Sequence, residues 1–330
     1  MKRIYRQIRR HATLVRIAVV FLLFALLLKN IHPRLIARAF MQADPFYLGI
    51  AVLFLVPNIF LQVLKWHFIL GTGGAKARLR DAAVSLVGGF FLGAASPGRT
   101  GELARGVFIP GQSGVKIASL TIVDKGFNQA MVVIVALFSL MLLMPWPLAV
   151  VPILLEAVVL IVLFNIHRLE PHLERLLHRF TYSERVDNAL AAFDTLSTRS
   201  VTVMLFYSVA FYSVYVIQFY FFILAFSDLS VFVALKTLPV VYLIQLALPI
   251  TIGDFGVKEM ATVKLLSPFG ISGEFAFGAT LTNNVLTFLI PSIAGGVIIT
   301  FFHPKRDPEA PSSDGRTIRS SGNTHRRAVS

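Results

Sequence analysis

The sequence predicts an all-α, polytopic membrane protein with about six spanning helices and two re-entrant broken hairpins in an inverted repeat. Three observations predict it. Apolar residues make up 56% of the 330 residues and charged residues 15%, against roughly 45–50% and about 25% in soluble domains. Six apolar runs approach the ~20 residues that cross a bilayer core. Two further apolar stretches are broken by Pro, Gly and charge, and they align with each other. This composition excludes a soluble enzyme of this length. It also excludes a disordered chain, which would be charge-rich and poor in Phe, Leu and Val. A net charge of +14 on so little polar surface points to basic membrane flanks rather than to nucleic acid. There is no cysteine, hence no disulfide and no Cys-based metal site.

The chain begins with a basic cytoplasmic segment, 1–16, holding Lys2, Arg3, Arg6, Arg9, Arg10 and Arg16 and no acid. The apolar run Ile17–Leu28 follows and ends in Lys29-Asn30-Ile31-His32-Pro33 without a small-x-small cleavage site. It reads as an uncleaved first membrane helix with snorkelling Arg16 and Lys29. The other spans are Phe46–Leu70, Val115–Leu143, Leu148–Phe164, Val201–Phe226 and Phe275–Phe302. A polar stretch at 166–200 repeats Leu173, Leu176, Leu177 and Phe180 at helical spacing, as an amphipathic surface helix pair would. The tail 303–330 is rich in Pro, Ser, Arg and Gly and reads as disordered. N-terminus, linker and tail are basic, so all three are expected on the cytoplasmic side of an inner membrane. The membrane domain is then 17–302, with repeat 1 at about 46–143 and repeat 2 at about 201–302.

The broken stretches are Ala82–Ile109, containing GGFFLGAASPGRTGELARG, and Val231–Leu266, containing LPITIGDFGVKE. A straight helix does not pass Ser96-Pro97-Gly98, and in lipid the freed carbonyls need protein or cavity water. Re-entrant hairpins fit. Pro97, Gly101, Glu102 and Gly126 match Pro249, Gly253, Asp254 and Gly278 at a constant offset of 152 residues. The helix count brings the two hairpins in from opposite faces. Such inverted repeats place a substrate site at the midplane, so the pattern points to transport.

The charges inside these stretches are the candidate site. Arg99, Glu102 and Arg105 fall within seven residues. If the chain turns helical after Gly98, Glu102 and Arg105 share a face. Arg99 brings a planar fork suited to phosphate. Asp254, Lys258 and Glu259 occupy the second hairpin, with Asp254 and Lys258 at helical i, i+4 spacing. Asp124-Lys125 lies about nine residues into its helix, roughly 13 Å deep, and needs partners there; Arg99 or Glu102 is the expected source. Asn283 and Asn284 hold the comparable place in the last helix. His67, beside Lys65 and Trp66, reads as an interface anchor. The eight charges named cancel, which favours a zwitterionic or singly anionic headgroup. No Walker A, GxSxG or HExxH sequence occurs, and no metal, cofactor or catalytic residue is expected.

SPGRTGELARG (Ser96–Gly106), VDKGF (Val123–Phe127), GDFGVKE (Gly253–Glu259) and NNVLTFLIPSIAGG (Asn283–Gly296) resemble the lysylphosphatidylglycerol synthase transmembrane, or flippase-like, family. The resemblance runs from about Leu14 to Phe302. It implies a helical membrane protein that moves, or helps to move, a lipid-linked anionic or zwitterionic headgroup between leaflets. By position it assigns Arg99, Gly101, Glu102 and Arg105, the pair Asp124-Lys125, and Gly256, Lys258 and Glu259 to the binding site. Asp254-Phe255 stands where the family has small residues, and Asn284 where an Arg is frequent. No aminoacyl-transferase domain follows, so lysyl-lipid synthesis is not expected. The expected partners are membrane lipids, a phospholipid or an isoprenoid-linked headgroup, with an envelope-biosynthesis enzyme as a further possibility. Two rivals to a flippase are a membrane transferase acting on a lipid-linked sugar or headgroup, and an accessory scaffold for such an enzyme.

Overall fold

The computed structural model describes residues 33–94, 96–165, 196–248 and 255–301. The predicted first membrane helix, the amphipathic linker, the C-terminal tail and Asp254 lie outside the described residues. Every regular element among those described is helical. In chain order they are α1 (Pro33–Gln42), α2 (Pro45–Leu53), α3 (Leu55–Thr72), α4 (Leu79–Ala94), a 3₁₀ segment (Pro97–Phe108), α5 (Gly114–Leu143), α6 (Val150–Phe164), α7 (Thr198–Phe226), α8 (Val231–Ala247), α9 (Val257–Leu266), α10 (Gly273–Asn284), a π-helical turn (Val285–Leu289) and α11 (Ile290–Phe301), with a short 3₁₀ turn, Ser267–Phe269, after α9.

Among the described residues, four stretches are long and apolar enough to cross a membrane: Pro45–Thr72, Gly114–Leu143, Thr198–Phe226 and Gly273–Phe301. The protein is therefore a polytopic helical membrane protein. The predicted span Leu148–Phe164 is the 15-residue helix α6, about 22 Å long at 1.5 Å per residue. Leu154, Val158 and Ile161 on it remain exposed, as lipid-facing side chains would.

Breaks in the spans follow from sequence. Pro57 has no N–H to give, and the first span divides at Phe54 into α2 and α3. The Ala51 carbonyl beside this break accepts from Gln218 Nε2 of α7 at 2.9 Å. In the last span the ladder widens to a π turn at Val285–Leu289, an arrangement frequent at functional sites.

Both hairpins are present as paired arms. In the first, α4 runs to Ala94 and the 3₁₀ segment packs back along it. Glycines set how close the arms come. A Cβ on Gly93 would lie 2.8 Å from Glu102 Cγ, and one on Gly101 would collide with the Leu92 carbonyl oxygen. Ser85 Oγ donates to the Arg105 carbonyl at 2.9 Å, fastening the arms side by side. The sequence gives helix after Gly98; the returning arm is 3₁₀ rather than α. With three residues per turn, side chains three apart eclipse, so Glu102 and Arg105 project from one edge.

In the second hairpin α8 leads to α9, whose first turn is capped by Gly256 at φ +96°. That left-handed backbone suits glycine alone. The repeat is visible in the element boundaries: α4 and α8 begin 152 residues apart, and the spans opening at Pro45 and Thr198 begin 153 apart. Each leading arm packs on the long helix of the other repeat, α4 on α11 and α8 on α5. Two apolar clusters support the halves, one around Trp66, Ile69, Leu70, Ile117 and Val123, the other around Phe219, Phe222, Ile223, Leu238 and Val241.

Candidate functional site

The 3₁₀ edge faces α5, and the two exchange charges. Glu102 is the hub of one group. Its Oε1 lies 2.5 Å from Arg99 Nε and its Oε2 lies 2.8 Å from Lys125 Nζ. Asp124 is the hub of the other. Its Oδ2 lies 2.9 Å from Arg105 Nη2 and its Oδ1 lies 2.8 Å from Lys65 Nζ. For the pair Asp124-Lys125 the expected Glu102 does serve Lys125, while Asp124 is met by Arg105 and Lys65 rather than by Arg99. The reason is the 3₁₀ register, which carries Arg105 down to the level of Asp124 and leaves Glu102 opposite Lys125.

Arg105 is fixed on every side. Its Nε donates to Thr121 Oγ1 at 2.8 Å, and its guanidinium carbon lies 3.4 Å from the Trp66 ring centroid. Lys65 is equally enclosed, donating to Asn128 Oδ1 and lying 3.4 Å from Ser208 Oγ. Arg99 and Lys125 differ. Their side chains keep 29% and 33% exposure, against 2% for Arg105 and 1% for Lys65. Arg99 takes φ +56°, a left-handed backbone for a residue with a Cβ, and its guanidinium sits 4.5 Å above the Phe288 ring on the π turn. Such strain persists where the surroundings hold it, commonly at binding sites.

Arg99 and Lys125 open onto a cavity of about 280 Å³. Both repeats build it: Gln62 of α3, Arg99, Glu102 and Arg105 of the hairpin, Asp124 and Lys125 of α5, Tyr212 of α7, Tyr242 and Gln245 of α8, and Asn284 with Phe288 of the last span. The structure thus gathers Arg99, Glu102, Arg105, Asp124, Lys125 and Asn284 around one space.

Glu259 and Lys258 stand behind that wall. Glu259, fully buried, accepts from Asn284 Nδ2 at 2.7 Å and from the Gly256 N–H at 2.6 Å. Lys258, fully buried, lies 4.5 Å, 4.6 Å and 5.4 Å from the ring centroids of Phe219, Tyr242 and Tyr215. Gly101 does not line the cavity; it lets the hairpin close, its N–H donating to Ser96 Oγ at 2.6 Å.

A family model described as the lysylphosphatidylglycerol synthase TM region matches residues 13–295. The chain belongs to this family. No curated protein matches it. The matched range takes in every element from α1 to the hairpins and the cavity, and it supports a lipid-related membrane protein.

Within this family member, sequence reasoning missed Lys65 and Trp66. Named only as neighbours of His67, both are buried, at 1% and 0% exposure. His67 Nε2 lies 3.2 Å from the Ala77 carbonyl oxygen, away from the cavity. A signal was available: Asn58, Gln62 and Lys65 recur at i, i+4 and i+7 in an apolar helix, a polar stripe on one face. Asn58 and Gln62 connect along it, Gln62 Nε2 donating to Asn58 Oδ1 at 2.8 Å, while Asn58 Nδ2 reaches Gln218 Oε1 at 3.2 Å. Adding Lys65 to the eight charges that cancel gives the set a charge of +1. The cavity wall itself also carries +1 among the described residues, three cations against two carboxylates.

Proposed function

We propose that this protein is a lipid flippase or transporter that moves a phospholipid or lipid-linked headgroup between the leaflets. The observation that carries this reading is the cavity shared by both repeats, with two partly exposed cations inside an otherwise apolar, membrane-spanning framework. A volume near 280 Å³ lies at the lower edge of the ~300–1,000 Å³ of small-ligand sites. It suits a headgroup and leaves the acyl or isoprenoid tails in lipid. Membership of a lipid-synthase membrane family supports the same substrate class.

The roles follow from exposure. Arg99 and Lys125 receive the phosphate: Arg99 offers a planar fork, Lys125 a mobile ammonium. Glu102 holds both in place and competes with the phosphate for them, so that binding stays reversible. Arg105 and Lys65, already committed to Asp124, fix the hairpin and α3 respectively to α5 and keep the local potential positive. Reciprocal packing of α4 on α11 and of α8 on α5 gives two units that can rock around the site, as in repeat-built transporters. The basic composition of both ends supports a cytoplasmic side of the inner membrane for the two termini. The role implies supply of the lipid by an envelope-biosynthesis enzyme.

Purified protein in liposomes carrying fluorescent lipids tests the proposal. Leaflet exchange that falls on Arg99→Ala supports it. Lipid modified by the pure protein in the presence of a soluble donor identifies a transferase instead. Neither exchange nor modification leaves the scaffold reading.

A further inference from the structure

The cavity has two unlike walls. The hairpin and α5 supply its five charges, Arg99, Glu102, Arg105, Asp124 and Lys125. The wall built by α7 and α8 is uncharged: Phe211, Tyr212, Tyr215, Tyr242, Gln245 and Leu246. On this second wall Tyr212, 3% exposed, holds its hydroxyl buried, and Gln245 holds its amide oxygen buried; neither atom has a hydrogen-bond partner among the described residues. Buried polar atoms are almost always paired. The amide oxygen only accepts and the phenol accepts or donates, so an entering hydroxyl, which does both, can complete either one.

The same cavity is poorly equipped for an amine. Among the described residues its only carboxylates are Glu102 and Asp124. Each already holds two cations, one per oxygen, at 2.5–2.9 Å. Aromatic faces are the other usual solvent for an ammonium. Of those lining the cavity, Tyr215 and Tyr242 already receive the Lys258 ammonium, at 5.4 Å and 4.6 Å from their centroids, and Phe288 the Arg99 guanidinium at 4.5 Å, which leaves Phe90, Phe211 and Tyr212. A second cation there would meet the field of Lys258 as well as of Arg99 and Lys125.

Resting on the lipid-transport reading above, we propose that the cavity selects lipids whose phosphate carries a neutral, hydroxyl-rich group, a polyol or a sugar, over lipids whose phosphate carries an amine. The phosphate sits between Arg99 and Lys125. The hydroxyls reach across to Tyr212 and Gln245, where a hydroxyl can donate to the amide oxygen and exchange a hydrogen bond with the phenol.

The test is competitive lipid binding to the purified full-length protein, read by native mass spectrometry, with matched acyl chains. The probes are phosphatidylglycerol, phosphatidylinositol, phosphatidylserine, phosphatidylethanolamine and phosphatidylcholine. A polyprenyl-phosphate sugar forms a separate arm that distinguishes a glycerolipid from an isoprenoid source. Phosphatidylserine matches phosphatidylglycerol in net charge but replaces its hydroxyls with an ammonium and a carboxylate, and phosphatidylethanolamine, with the amine and no carboxylate, separates the two effects. The expected result is a preference of about tenfold or more for phosphatidylglycerol, phosphatidylinositol or the sugar lipid over phosphatidylserine, the scale of one additional satisfied hydrogen bond. Gln245→Leu and, separately, Tyr212→Phe should bring the ratio of phosphatidylglycerol to phosphatidylserine binding towards one. Phosphatidylserine or phosphatidylethanolamine binding as tightly as phosphatidylglycerol overturns the proposal. If those amine lipids also cross between leaflets, the transport reading stands while the selectivity fails. Retention of bulk lipid alone, without exchange, overturns both.

Discussion

Replacing Asp124 with Asn removes one charge, leaves the side-chain shape nearly unchanged, and strands two buried cations. Asp124 lies 2.8 Å from Lys65 Nζ and 2.9 Å from Arg105 Nη2, and the side chains of all three keep at most 8% exposure. Each attraction is worth about 6 kcal/mol gross at an effective dielectric of ~20. The cost of desolvating the carboxylate offsets part of this, and breaking a buried pair from one side typically costs about 3–5 kcal/mol. Asp124→Asn should therefore lower stability by about 3–5 kcal/mol, a fall of roughly 5 °C in Tm. A second substitution gives the distinctive signature. Lys65→Met alone leaves Asp124 with Arg105 and should cost less. In the Asp124→Asn background it removes a stranded ammonium and should recover about 1–3 kcal/mol. The assay is thermal unfolding of the four purified proteins in one detergent, followed by intrinsic fluorescence and checked by size exclusion. A loss under about 1 kcal/mol for Asp124→Asn, or the same cost for Lys65→Met in both backgrounds, would refute the buried triad.

Arg99→Ala and Lys125→Ala should cut lipid binding about tenfold each while Tm moves little, because both side chains are part-exposed; binding and unfolding measured on one preparation check the separation. Gly101→Ala should cost about 1–3 kcal/mol by driving a Cβ into the Leu92 carbonyl. Gly126→Ala, with nothing within 4 Å of the added carbon, should be neutral or stabilising by up to about 1 kcal/mol; equal Tm values for the two would contradict the hairpin packing. Gln218→Leu leaves Asn58 and the Ala51 carbonyl without their partner and should destabilise by about 1–3 kcal/mol, read as a shift in unfolding temperature.

The sequence reveals the framework better than the chemistry. Apolar runs and a Pro-Gly break are local features, so the spans and the first hairpin could be placed from them, and the offset of 152 residues between Pro97 and Pro249 reappears in the starts of α4 and α8. Arg99, Glu102, Asp124 and Lys125 stood out because charge in an apolar stretch is costly. Their pairing did not, because it depends on register: whether the arm after Gly98 winds as α or 3₁₀ decides which of Glu102 and Arg105 meets Asp124. Lys65 was hidden for a related reason. It lies near the end of an apolar run, where a lysine usually snorkels, and its polar stripe with Asn58 and Gln62 gains its meaning once α5 and α7 pack against it. Tyr212 and Gln245 are unremarkable in sequence; they gain meaning from the cavity they share with residues more than a hundred positions away.

The central claim is that Arg99 and Lys125 hold a lipid headgroup while it crosses. It is tested most directly by leaflet exchange in proteoliposomes, measured as the fraction of fluorescent phosphatidylglycerol that an impermeant quencher can reach. Wild-type protein should expose the inner-leaflet pool, and the Arg99→Ala/Lys125→Ala protein, monodisperse on size exclusion although Glu102 loses both partners, should leave it protected. Exchange at the wild-type rate in that double variant would contradict the account.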